Sequence, residues 1–533
     1  MVYGTQILWT RERKNGFLNC TRKRKLNFAD FESSRLVELC SSTLVSYSCM
    51  RSSQFNSTMA DSTNSTTTVS RWAIKLFTQL IAITLAVSIV SVGTTIASNA
   101  AVGLSGGAKE SLNIPRWLYV ATGGAAIGTS ALLASFVTDR MFIRAIHQWR
   151  HHLGNVQNFE SVGKRLAEGI GLVLLGLVIY RGLLGPQIPT VNFAIVFVFA
   201  GLRAGLTMAA YLFGNVWSLV NPWRTISEYL PNGFISYPSR FGRWPAVTGL
   251  LALVWIETTS GITKQPSLLA VVVLMYSVIT IIGASVFGPE EWFTRADPVS
   301  VFFYFYSRVS PLSWDSDGLQ LRLPGMRLVE DDTVTGLDDI AFVVALVWEL
   351  TFSGFVTTAP GAGFVRAVVD LGFPPLALYG MLYLGGFLLF VGAYLLAADV
   401  TASRLQTYRT SRELAIQFAP SLLAIAAGYH LAHYFGFFVS LLPSLASVLV
   451  SPLSPSSNPL VLTLPAWFGG LNIFFVLAGH ILAIWVAHST AYRLFPTRTQ
   501  AISSQYAFVV VMMMYTSVSL WLISLPTQSP AFI

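Results

Sequence analysis

From Trp72 to the C-terminus the chain carries about eleven separate stretches of roughly twenty mostly apolar residues, each long enough to cross a hydrocarbon layer of roughly 30 Å as a helix. Lipid offers no water to a bare peptide group, so a crossing segment must close its own hydrogen bonds, and continuous apolar runs of this length do so as helices. The expected fold is therefore all-α: a polytopic transmembrane helix bundle. The spans fall near 73–97, 117–137, 167–184, 192–213, 244–261, 267–288, 340–359, 377–398, 414–436, 467–488 and 506–525. Residues 437–452 are also apolar and end at Pro452, so they either extend the ninth span or form a re-entrant or interfacial piece. The count then ranges from ten to twelve.

Composition agrees: 53% of the 533 residues are hydrophobic and 11% charged, against about a quarter charged in an ordinary soluble chain. The net charge of +9 does not imply a nucleic-acid partner, because the basic residues sit in short connectors, where they set orientation. With the N-terminus inside, the loops at 138–166, 214–243, 289–339, 399–413 and 489–505 are cytoplasmic. Of the 25 Lys and Arg from Met59 onward, about 19 then lie inside and five outside, counting Lys75 and Arg181 at span ends with the side they adjoin, and Arg203 lies deep within a span. This bias predicts a multi-pass protein of the cytoplasmic (plasma) membrane with its C-terminus outside and membrane lipid as its surroundings.

Residues 1–71 read as a disordered polar leader rich in Ser, Asn and Thr, followed by a transmembrane domain over 72–528 and a short tail, 529–533. Met59 is a plausible alternative start. Cys20, Cys40 and Cys49 all fall in the leader, so the bundle has no thiol for a disulfide, a zinc cluster or a nucleophile. Asn56 and Asn64 match the glycosylation sequon but fall on the cytoplasmic side of this topology.

The cytoplasmic loop 289–339 contains Val301-Phe302-Phe303-Tyr304-Phe305-Tyr306 and then Arg308, which reads as an amphipathic helix lying in the headgroup layer as a brace. The acidic stretch from Asp315 to Asp339 lacks the residue order of a calcium hand and reads as a solvated loop. Gly124 and Gly128, and Gly201 and Gly205, have the four-residue spacing of close helix contacts. Met512-Met513-Met514 face three directions on a helix and read as packing. The Gly-rich run ending Gly107-Ala108-Lys109-Glu110 is not a phosphate loop, and His-Glu-x-x-His and Cys-x-x-Cys are absent.

An ionisable side chain inside a span costs roughly 2.5–3.5 kcal/mol on insertion scales, so each one calls for a partner or a task. They are Arg203, Glu257, Glu349, His430, His433 and His480. A rise of about 1.5 Å per residue puts Arg203, Glu349 and His480 in one layer, with Glu257 about a turn further out, and an Arg203–carboxylate pair would relieve both desolvation penalties. His430 and His433 project from one helix face between Tyr429 and Tyr434, and the same measure sets them about 10 Å outward of His480. They are candidates for a metal, haem or proton-handling role, or for interhelical hydrogen bonds. His488 reads as an interfacial residue.

Several motifs together resemble one family. Asn221-Pro222-Trp223-Arg224, Phe287-Gly288-Pro289-Glu290-Glu291-Trp292 and Tyr429-His430-Leu431-Ala432-His433-Tyr434-Phe435 carry most of the likeness. With Gly479-His480, Ala487-His488 and Ser504-Gln505-Tyr506, they resemble the microbial integral membrane proteins known as fenitrothion hydrolases, over residues 75 to 525. The resemblance implies organophosphorus ester hydrolysis, with His430, His433 and His480 on a divalent transition metal that activates water. The chain departs from the family's acidic pattern at Phe352-Ser353-Gly354-Phe355 and at His488-Ser489, so no acid–base role carries over to those positions.

Three readings follow. As an enzyme, the histidines hold a metal and water, with Glu349 or Glu257 as base beside Arg203. As a transporter of a small molecule or ion, Arg203 with Glu257 or Glu349 forms a proton or anion relay. As a subunit of a membrane complex, the chain meets membrane-protein partners through the aromatic 301–306 surface.

Overall fold

The computed structural model describes residues 116–154, 160–315, 318–330, 333–405, 407–454, 458, 461–465 and 467–533. The leader, Met59, the sequons, the Gly-rich run and the first span at 73–97 lie outside the described residues.

Long helices dominate. We number α1 (Arg116–Phe136), α2 (Glu160–Leu184), α3 (Phe193–Phe213), α4 (Trp244–Thr259), α5 (Pro266–Phe287), α6 (Pro298–Ser307), α7 (Leu337–Val356), α8 (Pro375–Arg404), α9 (Pro420–Val450), α10 (Phe468–Leu494), α11 (Arg498–Ser503) and α12 (Tyr506–Ile523). Eight helical segments among the described residues are long and apolar enough to cross a membrane, and they match eight of the expected spans: α2, α3, α5, α7, α8, α9, α10 and the α11–α12 segment. Of the other expected spans, 117–137 corresponds to α1 and 244–261 to α4, whose 16 residues reach about 24 Å. The outer faces of the membrane-length helices carry exposed apolar side chains, such as Leu388 and Leu389 on α8 and Ile279 and Ile282 on α5. Contiguous apolar exposure on this scale belongs against lipid, and the protein is an integral membrane protein.

Residues 437–452 extend the ninth span: α9 runs unbroken through Pro443 to Val450. At 31 residues it measures about 46 Å, longer than the roughly 30 Å hydrocarbon layer. Its partner is α10, and the two backbones touch at a pair of glycines. A Cβ on Gly428 would stand 2.5 Å from the Phe475 carbonyl oxygen and 2.8 Å from Gly479 Cα, and a Cβ on Gly479 would stand 2.7 Å from the Ala424 carbonyl oxygen. Gly205 plays a similar part between α3 and α9, its missing side chain filled by the Phe438 ring.

Two loop expectations need correction. The aromatic run is not a brace in the headgroup layer: α6 is buried inside the bundle, with Val301, Phe302, Phe303, Phe305 and Tyr306 all shielded. Asp297 caps its first turn by accepting from Ser300 N at 2.7 Å, and Pro298 follows at the first helical position. Phe303 stacks on Trp217 at 5.0 Å and Phe305 on Phe342 at 5.4 Å. An all-apolar run has no periodicity to tell a lipid-facing helix from one sunk in protein. The following stretch is not a plain solvated loop either. Strands β1 (His151–Gly154), β2 (Leu312–Asp315) and β3 (Gly318–Leu321) form a small antiparallel sheet in the order β1-β3-β2. Asp339 is buried against Arg243 at 2.6 Å.

The glycine crossing yields a direct test. Gly428→Ala and Gly479→Ala each force backbone apart at a cost of about 1–3 kcal/mol, and the thermal midpoint in detergent should fall by several degrees. Gly392→Ala on the lipid-facing side of α8, where an added Cβ meets nothing within 4 Å, should leave it unchanged or slightly raised.

Candidate functional site

The site is built where α3 abandons regular α geometry. Val196–Leu206 winds as a π-helix, and Arg203 lies in it. Such wide turns shift carbonyls out of the regular ladder and are common at functional sites. Here the Arg203 carbonyl oxygen lies 3.0 Å from His430 Nε2 on α9. A carbonyl only accepts, so Nε2 carries the proton, and His430 Nδ1 is left to accept from the Tyr211 hydroxyl at 3.4 Å. Tyr434 and Tyr306 close over the imidazole, with ring centroids 4.5 and 5.6 Å away.

The Arg203 guanidinium is held by two carboxylates. Glu349 on α7 grips it with both oxygens, Nη1 to Oε1 at 3.2 Å and a shorter contact from Nη2 to Oε2. Glu257, in the last turn of α4, stands 3.5 Å from Nε. The two acids differ in setting: the Glu349 side chain is 1% exposed and the Glu257 side chain 16%. The rings of Tyr434 and Phe302 flank the guanidinium at 5.2 and 5.7 Å. A fork-on-fork pair of this kind compensates the desolvation of both ions, and Glu257 brings a second carboxylate to the same guanidinium.

Beside this cluster lies an apolar cavity of about 260 Å³, walled by α2 to α6. Leu174, Phe197, Val254, Val272, Phe302 and Phe303 give it its character, and Arg203 and Glu257 reach its wall. Tyr276, Trp217 and Trp223 line it as well and lead to a second polar group. Tyr276 donates to the buried Asp297 carboxylate, Trp217 Nε1 and Asn221 Nδ2 both donate to Ser300 Oγ at 3.2 and 3.1 Å, and Trp223 Nε1 donates to Ser277 Oγ at 2.7 Å. Pro298 packs on Gly249, eight residues before Glu257, so this group lies about 12 Å along α4 from the carboxylate. Burial pushes the Asp297 carboxyl up, against the hydrogen bonds from Tyr276 and Ser300 that pull it down.

The expected residues are thus only partly gathered. Arg203, Glu257 and Glu349 come together. His430 joins them, although the depth reckoning set it about 10 Å away. That reckoning assumed upright, regular helices of one span's length, whereas α9 runs to 31 residues and α3 is π-wound. The three histidines do not form a metal shell. No group of three His, Cys, Asp or Glu among the described residues is placed to hold a metal ion. Both His430 nitrogens are engaged as above, His480 Nδ1 donates to the Val476 carbonyl at 2.7 Å, and His433 packs edge-on against Tyr429 at 4.5 Å. A divalent transition metal shared by His430, His433 and His480 thus has no three-ligand cluster to hold it among the described residues.

His488 is buried, with Nε2 donating to the Val137 carbonyl at 2.8 Å and Nδ1 facing Gln505 at 3.2 Å. Asn221 is a helix cap, accepting from Trp223 N and Arg224 N at 3.1 Å each. Asp297 and Tyr276 were missed. The Asp297-Pro298 pair is a legible helix start, but nothing in the sequence ties it to Tyr276. No protein-family model, curated protein or solved structure matches this chain.

Two stability measurements probe the site. Glu349→Gln strips a buried guanidinium of its two-oxygen partner at a cost of about 3–5 kcal/mol, whereas Glu257→Gln keeps that pair and should cost about 1 kcal/mol or less. Equal losses of thermal midpoint would refute the assignment of Glu349 as the fixed partner. For Asp297, a folded-state value above the free carboxylate's means stability that is complete at low pH and lost as pH rises through the folded value. The midpoint of the native protein should accordingly fall relative to Asp297→Asn as pH is raised from about 4 to 8.

Proposed function

We propose that this protein is a multi-pass transporter of the plasma membrane, crossing eleven times with its N-terminus inside and C-terminus outside, which exchanges a small lipophilic cation for a proton on Glu257. The observation that carries the reading is one guanidinium shared by two carboxylates of unequal access, the buried Glu349 and the cavity-facing Glu257. Arg203 and Glu349 neutralise each other. Glu257 is then the surplus charge, and a surplus charge in a low-dielectric site is balanced by a bound proton or by a cation in the adjoining cavity. The apolar walls supply affinity for the solute's hydrocarbon part and the volume limits it to a small molecule. One cation entering and one proton leaving keep the exchange electroneutral.

The likeness to fenitrothion hydrolases and the same apolar cavity support a second reading, in which a neutral aryl phosphotriester binds there. Water attacks phosphorus, Glu257 takes its proton, Arg203 faces the phosphoryl oxygen, and the aryl oxide leaves.

Proteoliposomes separate the two. An inward gradient of tetraethylammonium across vesicles loaded with a pH dye should drive proton efflux, abolished in Glu257→Gln. Efflux no faster than in protein-free vesicles removes the exchange reading. Release of nitrophenolate from a dialkyl nitrophenyl phosphate, again lost in Glu257→Gln, would replace it with the hydrolytic one.

A further inference from the structure

A second cavity, far from the Arg203 cluster in sequence, has a different character. It is a groove of about 760 Å³ between the last three turns of α8 and the corner where α11 passes into α12. We propose that this groove binds one anionic phospholipid of the surrounding bilayer, its phosphate held by Arg404 and Ser503 and an acyl chain lying along α8 and α12.

The groove is graded from polar to apolar along the helix direction. Arg404 is the last residue of α8, Ser503 the last of α11 and Tyr506 the first of α12, so the polar end coincides with helix ends. The other end is lined by Leu396, Val400 and Val510 and continues along α8 to the exposed Leu388 and Leu389. A headgroup followed by a hydrocarbon chain repeats that order. Tyr506, 58% exposed, supplies the ring that belongs at the boundary between headgroups and chains.

Three side chains at the polar end have no partner among the described residues. Among the described residues, the side chains of Arg404, Ser503 and Tyr506 make no hydrogen bond or ion pair. Their neighbours do: Arg409 pairs with Glu413, and Arg493 donates to Gln417 at 2.6 Å. The two connectors that frame this end, 399–413 and 489–505, hold five arginines against Asp399 and Glu413, three positive charges in excess. Such a field favours an anionic headgroup over a zwitterionic one and disfavours a second copy of this chain, which would bring the same charge.

The test uses the full chain in a neutral detergent, with thermal unfolding read against added lipid. Phosphatidylglycerol should raise the midpoint saturably, and phosphatidylcholine and inorganic phosphate should not. The double variant Arg404→Gln with Ser503→Val should weaken the apparent affinity for phosphatidylglycerol by roughly ten-fold or more, since it removes a charge-assisted hydrogen bond. Its midpoint without lipid should match the native one, because neither side chain has a protein partner to lose. Arg366→Gln, an exposed arginine outside the groove, should leave the lipid response intact. An equal shift with phosphatidylcholine, a shift with inorganic phosphate alone, or a full phosphatidylglycerol response in the double variant would overturn the proposal. Native mass spectrometry supplies an independent reading, with one phosphatidylglycerol retained per native chain and none on the double variant.

Discussion

A guanidinium that cannot lose its charge, set within a membrane helix, is the constraint around which this fold is arranged. Arg203 must be met from several sides at once. Glu349 arrives on α7, Glu257 on α4, the Tyr434 ring on α9 and the Phe302 ring on α6. Four helices distant in sequence are thereby fixed in register with α3. The aromatic run of α6 is drawn inside for the same reason: a cation is better faced by a ring than by an aliphatic wall, and the ring in turn is shielded from lipid.

The backbone contributes as much as the side chain. The π-wound stretch of α3 accompanies a cross-helix bond from His430, and that bond fixes the imidazole's proton on Nε2. The histidine thus ends as a strut between α3 and α9, with Tyr211 on its other nitrogen. Where α9 meets α10, Gly428 and Gly479 remove every atom beyond the backbone, so the crossing of the two helices is set by a contact with no slack.

How much of this was legible follows from the physics of each signal. Eight membrane-length helices were readable because the cost of an unpaired peptide group leaves an apolar run few alternatives. The meeting of Arg203 with Glu349 and Glu257 was readable for a related reason: three costly charges in a few spans have only one another to pair with. His430 was misplaced, and the 301–306 run was put on the surface, because both placements rest on direction and not on composition. Sequence offset becomes depth only for straight, upright helices, and a run apolar on all sides has no face to reveal what covers it. Asp297 and Tyr276 depend on a long-range contact that no local pattern encodes.

The decisive feature for function is that the second carboxylate is superfluous to the first. Were the cluster purely structural, Glu349 alone would neutralise Arg203, and apolar packing at position 257 would serve stability better than another charge. Instead Glu257 stands at the wall of a cavity whose other walls are almost wholly apolar, more exposed than Glu349 and touching the guanidinium with one oxygen. A carboxylate so placed can exchange its partner without breaking the pair that holds the helices together. On the proposed exchange reading, stability rests on Glu349 and exchange on Glu257, so a single buried arginine would serve both the fold and the chemistry of the cavity.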